Sequence, residues 1–369
     1  MKLITIIGAR PQFIKAAPFS EEFRKSNEEV LVHTGQHYDA NMSDVFFEEL
    51  GIPEPNYNLG VGSGNHGKQT ARMLEGIEEI ILKEKPDGLL VYGDTNSTLA
   101  GALAASKLHI PVYHIEAGLR SYNKLMPEEQ NRVLTDHISD MLLCPTQTAV
   151  DNLSKEGITS GVINTGDIMY DTVLRNINIS KQKYWNGKWF DEIVRESGNI
   201  QKLTEKEYYL VTIHRAENTD NTEKLFNIFK ALSELDKPVL LPLHPRTKKL
   251  IENLEINFNN IIIIKPVGYL LMLYLTHNAY MVITDSGGLQ KEAYFLKTPC
   301  TTLRDQTEWP ETLENEWNVL STINNIEEIR LKVQRKLTCL QYPQLNSFGD
   351  GKAAFKICKE IVSGGQINE

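Results

Sequence analysis

Short apolar runs alternate along this chain with stretches in which apolar residues recur every three or four positions. The runs are four to six residues long, rich in Ile, Val and Leu, and bounded by glycine or polar clusters, as expected of strands buried on both faces. They fall at residues 2–7, 30–33, 89–92, 112–115, 141–144 and 162–165, and again at 208–213, 239–242, 261–264, 280–284 and 300–303. Between them lie helical patterns. One carries Ile14, Ala17 and Phe19, one spans 69 to about 82, one spans 98–107, and one opens at Pro127, a favoured first-turn residue. Strand and helix in strict alternation predict α/β architecture with parallel sheets. The series pauses at 181–206, a charged segment with Trp185 and Trp189 that reads as interdomain surface and connecting helix. The chain therefore divides into a first domain at 1–167, a second at 168–350, and a C-terminal helix within 351–369 that returns to the first.

The sharpest local signal is Met281-Val282-Ile283-Thr284-Asp285-Ser286-Gly287-Gly288-Leu289-Gln290-Lys291-Glu292. A buried strand turns through two glycines into a helix, with Leu289, Ala293 and Phe295 toward the core and Gln290, Lys291 and Glu292 outward. The first N–H groups of a helix have no partner inside it and attract negative charge. Gly287 and Gly288 have no Cβ to hold a phosphate away, and Ser286 can donate a hydroxyl. A nucleotide diphosphate fits, with Glu292 accepting from a ribose diol; an ordinary turn capped by Ser or Asp fits the same residues.

Polar groups follow apolar strands elsewhere too. Arg10 and Lys15 follow the first strand, Asp94 the strand at 89–92, and Glu116 the strand at 112–115. Glu128 and Arg132 sit on the helix opened by Pro127. His214 follows the strand at 208–213, and His244-Pro245-Arg246 the strand at 239–242. A lone Asp or His after a strand is usually a cap. Repetition at successive strand ends is what points to one active site at the C-terminal edge of parallel sheets.

Composition narrows the class of function. The 369 residues are 41% apolar and 24% charged, with a net charge of −9. That balance opposes a nucleic-acid partner or an anionic membrane surface, so an anionic ligand needs a local basic pocket. Cys144, Cys300, Cys339 and Cys358 are scattered without a C-x-x-C pair, which indicates neither a zinc site nor a disulfide framework. The first residues read as a strand rather than a signal peptide, and no apolar run reaches a membrane span; a reducing cytoplasm is the expected compartment.

The motifs Gly8-Ala9-Arg10-Pro11-Gln12-Phe13-Ile14-Lys15, Gly93-Asp94-Thr95, His114-Ile115-Glu116-Ala117-Gly118-Leu119-Arg120, Pro127-Glu128-Glu129 with Asn131-Arg132, His214-Arg215, Asp285-Ser286-Gly287-Gly288 and Phe348-Gly349-Asp350-Gly351 resemble, in order and over nearly the whole chain, the non-hydrolysing UDP-N-acetylglucosamine 2-epimerases. The resemblance implies two Rossmann-like domains with parallel sheets facing a cleft, in the GT-B arrangement, a homodimer, and no metal or nicotinamide cofactor. It implies inversion at C2 of a UDP-sugar by elimination of UDP and re-addition. Asp94, Glu116 and Glu128 would exchange protons and stabilise positive charge, pushing one another's pKa values apart; which one is the base stays open. Arg10 would reach the diphosphate and Lys15 the sugar or phosphate. His214 would lie near the phosphates, Arg132 in the binding set, Ser286, Gly287 and Gly288 on the diphosphate and Glu292 on the ribose. Residues 269–275 would line uracil.

The chain departs from the family pattern at three places. Thr307-Glu308-Trp309-Pro310-Glu311 has Trp where an arginine is common, so Arg304 is a candidate substitute. Gln12 stands where Glu is common, and Gln36-His37-Tyr38-Asp39 differs from the form tied to substrate activation. These variants resemble the branch acting on UDP-2,3-diacetamido-2,3-dideoxyglucuronate, in which Gln12 near the sugar would spare a C6 carboxylate from repulsion. A GT-B glycosyltransferase or a non-catalytic nucleotide-sugar binder are the other classes to separate.

Overall fold

The computed structural model describes all residues except 37–46, 48, 194–202, 244, 252–253, 338–344 and 365–369. His37, Tyr38, Asp39, His244 and Cys339 therefore lie outside the described residues. The chain forms two compact units, Met1–Leu174 with Leu345–Glu369, and Arg175–Gln344.

The first unit is a seven-stranded sheet made of β1 (Lys2–Ile7), β2 (Glu28–His33), β3 (Tyr57–Asn58), β4 (Gly88–Tyr92), β5 (Val112–Ile115), β6 (Met141–Cys144) and β7 (Val162–Asn164). Its order is β3-β2-β1-β4-β5-β6-β7, and every pair is parallel. The second unit has six strands: β8 (Tyr209–Thr212), β9 (Val239–Pro242), β10 (Ile261–Ile264), β11 (Met281–Thr284), β12 (Cys300–Thr302) and β13 (Asn318–Leu320). Its order, β10-β9-β8-β11-β12-β13, repeats the same doubly wound pattern, again all parallel. The expected α/β class with two Rossmann-like sheets is the observed one.

The apolar runs are buried on both faces because successive side chains of a strand point to opposite sides. In β8, Tyr209 and Val211 enter one core and Leu210 the other; in β9, Val239 and Leu241 take the first and Leu240 the second. Helices cover both sides, so neither face can be polar. In the first unit Ile4, Ile6, Val30, Val32, Leu89 and Val91 meet the His66–Glu84 and Asn96–Lys107 helices through Met73, Ile77, Ala100 and Ala104.

The division falls after Leu174 and before Leu345, rather than at 167 and 350, because contacts bind both segments to the first unit. Asp171 accepts from the backbone N–H groups of Ala353 (3.1 Å) and Ala354 (2.8 Å), the first two residues of the Ala353–Gly364 helix. Thr172 donates to the carbonyl of Ile14 at 2.9 Å. The segment read as interdomain surface is partly core. Tyr184 and Trp189 are buried in the second unit against Tyr208 and Tyr274, while Trp185 is exposed. Among the described residues no helix is long and apolar enough to cross a membrane.

Candidate active site

In a doubly wound sheet the chain leaves neighbouring strands in opposite directions at one place, and ligands bind beyond the strand ends there. That place lies between β1 and β4 in the first unit and between β8 and β11 in the second. The candidate residues follow those four strands, with β5 and the helix after it.

In the first unit Gln12 ties the two loops together. It is buried on the Arg10–Phe23 helix, and its Oε1 accepts from Gly8 N (2.8 Å) and Ala9 N (3.0 Å). Its Nε2 faces Tyr92 O (3.0 Å), Thr95 Oγ1 (3.1 Å) and Thr98 Oγ1 (3.1 Å). The amide is spent on the protein itself. The expectation that Gln12 faces the sugar and tunes it for a C6 carboxylate is therefore corrected: this side chain is a bridge between the β1 and β4 loops.

Lys15, buried on the same helix, forms an ion pair with Glu116. Glu116 follows β5 with φ +71°, a left-handed backbone that a non-glycine residue adopts at a cost. Its N–H and that of Ala117 both donate to Leu143 O of β6, which holds the strained turn. Gly93, at φ +63°, lies under this pair: a Cβ there would come within 3.2 Å of Glu116 Oε2 and 3.4 Å of Lys15 Nζ. Asp94 follows, its carboxylate 2.5 Å from Arg132 Nη2 and its carbonyl 2.9 Å from Asn131 Nδ2. The carboxylates thus do not crowd one another unaided; Lys15 and Arg132 are interleaved among them. Arg10 is the first residue of its helix and is half-buried.

The Pro127–Ile138 helix carries two neighbouring glutamates with different surroundings. Glu128 is exposed, one turn before Arg132 on the same face. Glu129 is buried and accepts from Ser121 N (2.9 Å), Ser121 Oγ (2.9 Å), Tyr122 N (2.7 Å) and Arg132 Nη1 (2.8 Å). Burial would raise its pKa, but the Ser121 N–H and Arg132 outweigh it and hold the carboxyl below the usual range. Arg120, which closes the motif after β5, is committed to Asp136 (2.6 Å) and Glu156 (2.7 Å).

In the second unit the bridge is Asp285, fully buried. Its carboxylate accepts from His214 N (3.1 Å), Arg215 N (3.0 Å) and Asn218 Nδ2 (3.0 Å), and lies 3.1 Å from His214 Nδ1. With Nδ1 turned to Asp285 and the side chain 60% exposed, the other ring nitrogen of His214 faces outward. Ser286 is the N-cap of the Gly287–Phe295 helix, its Oγ accepting from Leu289 N at 3.3 Å. A hydroxyl that accepts can still donate its own hydrogen, so cap and anion donor coexist in one side chain.

The other end of this turn differs from expectation. Gln290, Lys291 and Glu292 are buried, not outward. Lys291 Nζ sits 3.6 Å from the centroid of the Trp309 ring, a cation–π contact. Gly287 is needed for a close approach, since a Cβ there would lie 2.3 Å from Glu308 Oε1. Arg304, the sequence candidate for a phosphate contact, is buried and paired through Nη2 with Glu308 at 2.9 Å. Glu292 is buried within the same helix, and residues 269–275 form the buried first turns of the Tyr269–Asn278 helix.

Sequence reasoning missed Gln12, Glu129 and Asp285 as organisers. A local signal existed only for Asp285, the polar residue that directly follows β11; the partners of Gln12 and Glu129 come from other loops.

A profile described as UDP-N-acetylglucosamine 2-epimerase matches residues 21–362. A UDP-N-acetylglucosamine 2-epimerase homolog of Methanococcus maripaludis is 53% identical over 366 residues, 98% of this chain and 99% of its own. The UDP-2,3-diacetamido-2,3-dideoxy-D-glucuronate 2-epimerase of Pseudomonas aeruginosa is 52% identical over 328 residues, 87% of this chain and 88% of its own. The crystal structure of Methanocaldococcus jannaschii UDP-GlcNAc 2-epimerase in complex with UDP-GlcNAc and UDP superposes with a TM-score of 0.88 at 44% identity, covering 99% of this chain and all of that one. Motifs, strand order and end-to-end similarity agree, and the chain belongs to the UDP-N-acetylglucosamine 2-epimerase family.

Proposed function

We propose that this protein is a non-hydrolysing UDP-N-acetylglucosamine 2-epimerase that interconverts UDP-N-acetylglucosamine and UDP-N-acetylmannosamine. The observation that carries the reading is the set at the first switch point, Lys15–Glu116 and Asp94–Arg132. A protein that only bound an anionic diphosphate would gain nothing from carboxylates held there, whereas proton transfer at C2 needs them.

The C2 hydrogen of the sugar is not acidified by an adjacent carbonyl. Its removal must therefore be coupled to departure of UDP from C1, with positive charge building on the ring. One carboxylate among Asp94, Glu116 and Glu128 takes the proton, and the others stabilise the ring charge. Arg10, His214, the Ser286 hydroxyl and the N–H groups of Gly287 and Gly288 take up the charge on the leaving diphosphate, and Glu292 accepts from the ribose. Protonation of the resulting glycal on its other face and return of UDP to C1 complete the inversion, with no net loss of UDP. The enzyme works without a dissociable cofactor, as a cytoplasmic homodimer that supplies polysaccharide biosynthesis.

A second substrate, the UDP-diacetamido-uronate, is favoured by the 52% identity to the Pseudomonas relative. With Gln12 inward-facing, no residue described above selects between the two. The deciding experiment is incubation with each UDP-sugar in D2O, without an acceptor, followed by NMR. We expect deuterium at C2 and the C2 epimer to appear with UDP-sugar conserved. Release of free UDP, or no change until an acceptor is added, would overturn the proposal. The relative rates on the two sugars assign the substrate.

A further inference from the structure

The active-site loops of the first unit converge on a buried ring that the reaction does not touch. His114, on β5, is fully buried. Its Nδ1 lies 2.7 Å from Asp136 Oδ1 and its Nε2 lies 2.8 Å from the carbonyl oxygen of Gly93. Both partners are acceptors: a carbonyl has no hydrogen to give, and Asp136 is held as a carboxylate. Asp136 Oδ2 takes hydrogens from Arg120 Nη1 (2.6 Å) and Gly118 N (3.1 Å). A neutral imidazole has one N–H, so it would leave one of these two contacts acceptor against acceptor in a dry interior. Only the doubly protonated ring satisfies both.

The consequence reaches the reacting groups. Gly93 is pinned twice, its N–H to Ile115 O (3.0 Å) and its carbonyl by His114. It immediately precedes Asp94 and underlies the Lys15–Glu116 pair. Asp136 lies on the same helix as Glu128 and Arg132, and through Gly118 it holds the loop that carries Glu116. Arg120 closes the far side against Glu156.

We propose that His114 is a positioning residue: clamped as an imidazolium between Asp136 and the Gly93 carbonyl, it fixes the placement of Asp94 and Glu116 for proton transfer at C2. The clamp deepens the epimerase reading and rests on it for its catalytic consequence.

Two measurements test it. Neutron diffraction from deuterium-exchanged crystals of the unmodified chain reads the ring directly; we expect deuterium on both Nδ1 and Nε2, and a single site overturns the clamp. The second is H114Q, whose amide cannot span both acceptors as N–H donors. With kcat counted per UDP-binding site, so that misfolded chains are excluded, we expect kcat to fall about 100-fold while KM stays within about threefold. An unchanged kcat, or a loss confined to KM, overturns the proposal; if H114Q does not fold, the neutron result decides. Absence of any C2 exchange by the unmodified chain would sink the epimerase reading instead, and the ring's protonation would still be read independently.

Discussion

Glu128 and Glu129 are adjacent and chemically identical, and the fold gives them opposite surroundings. Glu129 is surrounded by four donors and packs the turn at 121–122 against the helix, so removing its charge takes the acceptor from Arg132 Nη1 and two backbone N–H groups. E129A should cost about 3 kcal/mol or more of stability, as loss of one partner of a buried pair does. E128Q touches none of these donors and should leave stability within about 0.5 kcal/mol, while abolishing C2 deuterium exchange. Chemical denaturation and the D2O assay on the two variants check this; the same loss of stability in both would refute the assignment. Glu128 stood out in the sequence because Pro127 sets the helix start and Asn131 and Arg132 complete the motif. Glu129 did not, because the donors that claim it come from residues 121–122, ahead of the helix. Gln12 misled for the same reason: its type is visible in the sequence, but which way its amide faces depends on Tyr92, Thr95 and Thr98, some eighty residues on.

At the scale of elements, central strands were legible because burial on both faces demands a continuous apolar run. β5, β6 and β9 begin and end where the runs do, and so does the edge strand β10 with its four isoleucines. The edge strands β3 and β13 were not, because two or three residues are too short to show as a run. The pair Trp185 and Trp189 shows the limit of local composition. Charges around them suggested surface, yet four residues separate an exposed ring from one packed on Tyr208 and Tyr274. W189A should cost about 3–5 kcal/mol and W185A less than about 0.5 kcal/mol, measured by urea denaturation; equal costs would place the segment differently. The turn at 285–288 couples two elements in the same way. In G287A the new methyl meets Glu308, and the Arg304–Glu308 pair must shift. Adding E308A to G287A removes that obstacle, so the double variant should lose less UDP affinity than the two single losses combined, a non-additivity that a calorimetric cycle reads. Strict additivity would show that the methyl and the carboxylate never meet.

Across the whole molecule, stability at mildly acid pH should be governed in part by a histidine that belongs to none of the motifs. His277 ends the Tyr269–Asn278 helix of the second unit, and its pKa is pushed down to about 4, first by burial and then by the cations Lys181 and Lys206, against a weaker opposing pull from Glu205. A histidine whose folded pKa lies below the unfolded value of about 6.5 binds its proton more tightly in the unfolded chain. Its neutral form is therefore compatible with full stability above pH 6.5, and stability drains away as pH falls from 6.5 toward 4. Part of the ring meets solvent, which screens the two lysines and makes the loss smaller than the shift alone would give. Replacing the ring by an amide removes this titration: between pH 7.5 and 5 the melting temperature of H277Q should fall less than that of the unmodified chain, with the curves converging on the acid side. Parallel curves across that window would show that the proton is taken up elsewhere. The pI or net charge would not have located this dependence, because it arises from three side chains that the second sheet's connections bring together from residues 181, 206 and 277, and the fold alone sets their spacing.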